Sequence, residues 1–142
     1  MIYFEKMTET AIDRLAAAIG YPDRIPGGVS RATFRVDDAE IVASVDSGRL
    51  VLSQDLTGDE SLFPALAGYA AGRMLREDAV LSFGDGKVFL WQSAPADAPG
   101  AALARLFEEF ADSCDWWRAR VDAKRGGANG SASGPETMMI RP

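Results

Sequence analysis

The chain has 142 residues, 47% of them apolar, and a formal net charge of −6 with a pI near 4.6, which fits one acidic folded domain able to bury its own core. The acidic balance, with no basic stripe, argues against nucleic-acid binding, and the single cysteine, Cys114, excludes an internal disulfide and fits a reducing cytoplasm. Histidine is absent, which removes the commonest general base and transition-metal ligand; no apolar run approaches the ~20 residues of a membrane span, and the start MIYFEKMTET lacks the features of a signal peptide.

The first residues, Ile2, Tyr3, Phe4 and Met7, are apolar for a terminus and are either ordered against the body or frayed. Thr8 or Thr10 caps a first helix with an apolar stripe of Ile12, Leu15, Ala16 and Ile19, ended by Gly20 and Pro22. After the turn Pro26-Gly27-Gly28 come three short strands. Phe34 and Val36 alternate with Thr33 and Arg35. Ile41, Ala43 and Val45 oppose Val42 and Ser44, and Leu50 and Leu52 alternate with Val51 and Ser53. Acidic turns at Asp37-Asp38 and Asp46-Ser47-Gly48 join them into an antiparallel meander whose outward face carries Val42 and Val51.

Asp59 or Ser61 caps a second helix in which Leu62, Leu66, Tyr69, Ala70, Arg73 and Met74 recur at helical spacing, with Pro64 in the first turn. Ala67, Gly68, Ala71 and Gly72 leave one face almost without side chains. An interior Gly costs ~1 kcal/mol relative to Ala, so the two call for a reason. Close approach of another backbone supplies one, either a second copy of the helix or this chain's own sheet. Past Asp78 the period becomes two: Val80, Leu81 and Phe83, the loop Gly84-Asp85-Gly86, then Val88, Phe89, Leu90 and Trp91, which is a hairpin signal.

The loop SAPADAPG leads to a last helix from about Ala101 to Ala123. Its stripe of Leu103, Leu106, Phe107, Phe110, Cys114, Trp117 and Val121 is the most regular in the chain. Its five large side chains supply ~7–15 kcal/mol of gross burial energy, which requires that it dock on the sheet. Residues 126–142 have the composition of a flexible tail, leaving 1–125 as the folded domain. The order helix, three strands, helix, two strands, helix defines an α+β fold, with helices packed on a twisted antiparallel sheet.

Candidate chemistry is sparse. Asp37 and Asp38 read as turn residues, and Asp85 as a hairpin turn without a phosphate-loop or calcium-loop pattern around it. Asp55, Asp59 and Glu60 read as helix-capping charge. Cys114 lies on the apolar stripe as an inert thiol. Trp117 belongs to the core stripe, and Trp116, on another face, is the more exposed. No nucleophile–base pair, ligand cluster or cofactor fingerprint emerges. What remains is spare apolar surface on the first helix, at Val42 and Val51, and on the small-faced helix, which points to a protein partner.

Three stretches carry a family resemblance: TETAIDRLAAAIGYP as an opening helix, LREDAVLSFGDGKVFLWQ as a strand, acidic-Gly turn and strand, and LFEEFADSCDWWRARV as a closing helix with the pair Trp117-Arg118 near its end. Together with size, low pI and element order, over about residues 8 to 123, the chain resembles the class I chaperones of bacterial type III secretion. It departs from them in the second helix, where Ala-Gly-Tyr-Ala-Ala-Gly-Arg stands in place of a leucine-rich run closing on Asn. The resemblance implies a homodimer in the bacterial cytoplasm, joined through Leu66, Ala67, Ala70, Ala71, Met74, Val80 and Leu81. It implies an extended effector segment in a groove drawn from Ile12, Leu15, Ile19, Phe34, Val36, Val42 and Val51. It further implies the secretion ATPase as a partner, and no catalysis, metal or cofactor. Two other classes compete with it: a regulatory or scaffold α+β domain binding a folded partner, and a small enzyme working with carboxylates alone.

Overall fold

The computed structural model describes residues 10–73 and 76–133, with side chains as far as Arg125. The expectations for Ile2, Tyr3, Phe4, Met7, Thr8 and Met74 lie outside the described residues. The first helix, α1 (Ala11–Ile19), starts where local chemistry stops the chain from fraying. The Thr10 backbone N–H donates to the Asp13 carboxylate at 2.9 Å, and the Asp13 N–H donates to the Thr10 hydroxyl at 3.3 Å, a reciprocal capping box. Gly20, at φ 65, turns the chain out of the helix in the left-handed conformation that costs Gly least.

Five strands follow the alternation in the sequence: β1 (Arg31–Val36), β2 (Ala39–Asp46), β3 (Arg49–Thr57), β4 (Val80–Gly84) and β5 (Lys87–Pro95). They form one sheet in the order β1-β2-β3-β5-β4, with every neighbouring pair antiparallel. The meander and the hairpin are therefore a single surface, joined along β3 and β5. Two hairpin loops have positive φ at both central residues, Ser47 (53) with Gly48 (78) and Asp85 (54) with Gly86 (79), as type I′ turns require. Between β3 and β4 a single 3₁₀ turn (Glu60–Leu62), with Ser61 N–H bonded to Asp59 Oδ1, leads into α2 (Phe63–Arg73).

The three helices among the described residues all serve one face of the sheet. Phe34, Ile41, Ala43, Leu50, Leu52, Leu81, Val88 and Leu90 point into a core closed by Ala11, Ile12 and Leu15 of α1 and Leu66 and Ala70 of α2. The last helix, α3 (Gly100–Ser133), supplies the rest, with all seven residues of its apolar stripe buried. Edge-on aromatic contacts link the layers, Phe34 to Tyr21 at 4.8 Å and to Phe107 at 5.5 Å. The helical backbone of α3 runs through residues 126–133, beyond the point near Ala123 where the sequence pattern ends it. Among the described residues no helix is long and apolar enough to cross a membrane.

Candidate functional site

The seven groove residues separate into three groups. Ile12, Leu15 and Phe34 are fully buried in the chain's own core, which corrects their assignment to a partner-facing surface: a side chain with no exposed area has nothing to offer a partner. Ile19 and Val36 are half-buried at the margin of the same core. Val42 and Val51 are half-buried on the other face of the sheet, which the core residues do not touch. The amphipathic stripe of α1 is thus a core stripe, consumed by packing on α3 and β2.

The face of the sheet opposite the helices is where apolar side chains remain available. Register places Val42 beside Ser53, Ser53 beside Trp91, and Trp91 beside Val80 in one row across four strands. Val51 lies opposite Ser44 and Ser93, and Phe89 opposite Ser82. Val42, Val51, Val80, Phe89 and Trp91 are all half-exposed. The Trp91 indole N–H donates to Ser82 Oγ at 3.0 Å, which ties the ring to the neighbouring strand. Antiparallel sheets with one solvated face usually make it polar, so this aromatic and β-branched row is surplus to folding. Phe89 and Trp91 escaped the sequence pattern because Val88 to Trp91 is an unbroken apolar run, and such a run does not say which residues face out.

A second uncovered surface lies on α2. Ala67 is half-buried, and Gly68, Ala71 and Gly72 are exposed; a Cβ added at Gly68 or Gly72 would meet nothing within 4 Å. The small-residue face therefore does not pack on the chain's own sheet. Of the other residues expected at a dimer contact, Leu66, Ala70 and Leu81 are buried in the protomer core, Val80 is half-exposed on the other face of the sheet, and Met74 lies outside the described residues. Phe83, 53% exposed on the edge strand β4, stacks on Phe63 of α2 with ring centroids 4.4 Å apart. On its other flank α2 is fastened to α3: Trp116 meets Tyr69 at 6.0 Å and lies between the guanidinium groups of Arg73 and Arg120, 4.0 and 4.2 Å from its ring. Trp116 is half-buried in that stack, and Trp117 is in the core.

Polar groups gather in two hollows. One, of about 480 Å³, lies where β2 and β3 diverge, with Arg35, Gln54, Asp55, Lys87 and Arg118 in its wall. Its rim charges are largely paired, Arg35 with Glu40 at 2.7 Å and Lys87 with Asp55 at 3.1 Å. The other, of about 450 Å³, is lined by Glu77, Asp78, Glu109 and Asp112 together with Arg76, Gln92 and Ser113. Among the described residues no group of three His, Cys, Asp or Glu side chains is placed to hold a metal ion. Burial pushes the Cys114 thiol up to about 12, with Arg118 opposing weakly, so the thiolate needed for nucleophilic chemistry does not form near neutrality.

No family model and no curated protein matches the chain. Solved structures do. The chain aligns with a chain of the HopA1–SchA chaperone–effector complex at a TM-score of 0.61 and 18% identity, covering 82% of this chain and 94% of that one. A chain of the ExsC–ExsE complex matches at a TM-score of 0.60 and 21% identity, over 81% and 92% of the two chains. A chain of the ExoT–SpcS complex from Pseudomonas aeruginosa matches at 0.54 and 16%, over 74% and 91%. The chain shares its α+β fold with a chain of each of these three complexes.

Proposed function

We propose that the protein is a homodimeric, non-catalytic chaperone of the bacterial cytoplasm. It binds the extended N-terminal segment of one or more type III secretion effectors and keeps them soluble and export-competent. The observation that carries this reading is the one-sidedness of the sheet: three helices close one face, and the other keeps Val42, Val51, Val80, Phe89 and Trp91 half-exposed. The likeness of fold to chains of three two-protein complexes, one of them a chaperone–effector complex, supports it. An extended client segment lays alternate apolar side chains on that row, and its backbone can pair with the edge strand β1. The opposite edge, β4, adjoins the small face of α2. There a second copy would approach closely over Ala67, Gly68, Ala71 and Gly72, flanked by Phe83. The net charge of −6 favours basic client segments and keeps a complex soluble. The secretion ATPase is the expected acceptor of the loaded complex.

The test is binding of the protein encoded beside this one on the chromosome, offered by calorimetry as its unfolded N-terminal fragment and as its folded remainder. A chaperone takes the unfolded fragment. Binding confined to the folded part would replace this reading with that of a scaffold domain.

A further inference from the structure

We infer that the hollow between α3 and the segment leading into β4 is a binding site for a guanidinium group, the side chain of an arginine offered by a partner chain. Two polar side chains that the fold buries but does not bond form its floor. Gln92 follows Val88 and Leu90 on the side of β5 that faces the helices. Ser113 lies on α3 between Phe110 and Cys114 of the buried stripe and Glu109 and Asp112 of the exposed flank. Each is 5% exposed, and both line the hollow of about 450 Å³. Among the described residues neither the Gln92 carboxamide nor the Ser113 hydroxyl has a hydrogen-bond partner, yet neither is sealed off from solvent. Buried polar groups are ordinarily paired, so the bonds these two lack have to come from whatever enters the hollow.

The wall adds charge. Glu109 and Asp112 stand on α3, and Glu77 and Asp78 on the segment before β4, against one cation, Arg76. Arg73 holds Glu77 and Arg105 holds Glu109, whereas Asp78 and Asp112 have no ion pair among the described residues. An anion is therefore repelled, and a neutral amide leaves the carboxylates unanswered. The acceptors are also spread out: among the described residues no three carboxylates come together to hold a metal ion. An ammonium gathers its three donors at one strongly hydrated point. A guanidinium is flat and more weakly hydrated, and it sends five N–H donors outwards, which suits the Gln92 carbonyl and Ser113 hydroxyl of the floor together with a carboxylate of the wall. The inference rests on the chaperone reading only for the source of the arginine, a basic client segment, and not for the site.

The test uses arginine analogues and no client. Nitrogen-15-labelled protein is titrated at low salt with N-acetylarginine methylamide, its lysine counterpart and its uncharged citrulline counterpart. The side-chain N–H signals of Gln92 and the backbone N–H signal of Ser113 are followed by NMR. The arginine analogue gives saturable shifts at both, weakened about tenfold in Asp112→Asn and in Gln92→Met. Asp112 is exposed, so Asp112→Asn serves if Gln92→Met fails to fold. The lysine analogue binds at least about threefold more weakly, and the citrulline analogue does not saturate. Absence of saturation with the arginine analogue, an affinity unchanged in Asp112→Asn, or equal binding of either counterpart overturns the inference. None of these outcomes would touch the client-binding reading, which is tested with the unfolded fragment.

Discussion

Substitution of Ala71 by Glu should turn the proposed dimer into separate protomers. Ala71 is exposed on α2 between two glycines at which even a Cβ would meet nothing, so within one protomer the carboxylate stays in water. Exposed substitutions of this kind shift stability by about 0.5 kcal/mol or less. In a two-fold contact through the same face the change enters twice. Each carboxylate then loses water in a surface of Ala and Gly that offers no donor, at a cost of several kcal/mol per ion. About 3 kcal/mol from each gives about 6 in all, or roughly 10⁴-fold in the dissociation constant. Sedimentation velocity at ~10 µM, where a dimer with Kd of ~10 nM would be nearly complete, should show monomer for Ala71→Glu and dimer for the parent. Circular dichroism should give both the same spectrum when folded, with the parent melting higher by the stabilisation that dimerisation adds. A variant that still sediments as an unchanged dimer would refute the assignment of this face.

The core assignments make a contrasting demand. Leu15→Ala empties a fully buried position and should cost ~2–5 kcal/mol, a fall in melting temperature on the order of 10 °C; a fall under about 2 °C would return Leu15 to the surface. Val51→Asp, on the open face, should leave the melting temperature nearly unchanged and weaken binding of an effector N-terminal fragment by about tenfold or more, read by calorimetry. The Cys114 thiol, raised by burial from 9.0 to about 12, stays protonated in the folded chain while the unfolded chain ionises. Its contribution to stability is therefore complete below pH 9 and is lost at about 1.4 kcal/mol per pH unit as pH rises towards 12. Denaturant titrations of the parent should show that slope over Cys114→Ala, and parallel curves would contradict the burial.

Periodicity carried the fold because each element announces its period. The α3 stripe from Leu103 to Val121 is buried at every expected position, and the turns at Ser47-Gly48 and Asp85-Gly86 have the backbone their residues favour. Periodicity says which residues share a face and not what that face meets. Ile12 and Leu15 look like spare surface in the sequence because α1 is short and narrow in its stripe; only docking on α3 and β2 makes them core. The same limit hid Phe89 and Trp91, where an apolar run has no alternation to read. Gly68 and Gly72 signalled an unusual face on α2, but whether that face is covered depends on tertiary placement, which leaves it open.

The open face of the sheet can be questioned through one proton. The Trp91 indole N–H, held at Ser82 on that face, gives its own NMR signal, as do those of Trp116 and Trp117 on the helical side. On adding the unfolded N-terminal fragment of the neighbouring gene's product, the Trp91 signal should move and exchange more slowly, while that of Trp117 stays in place. Binding that moves Trp116 or Trp117 and leaves Trp91 untouched would put the client on the helices and contradict the role given to the sheet.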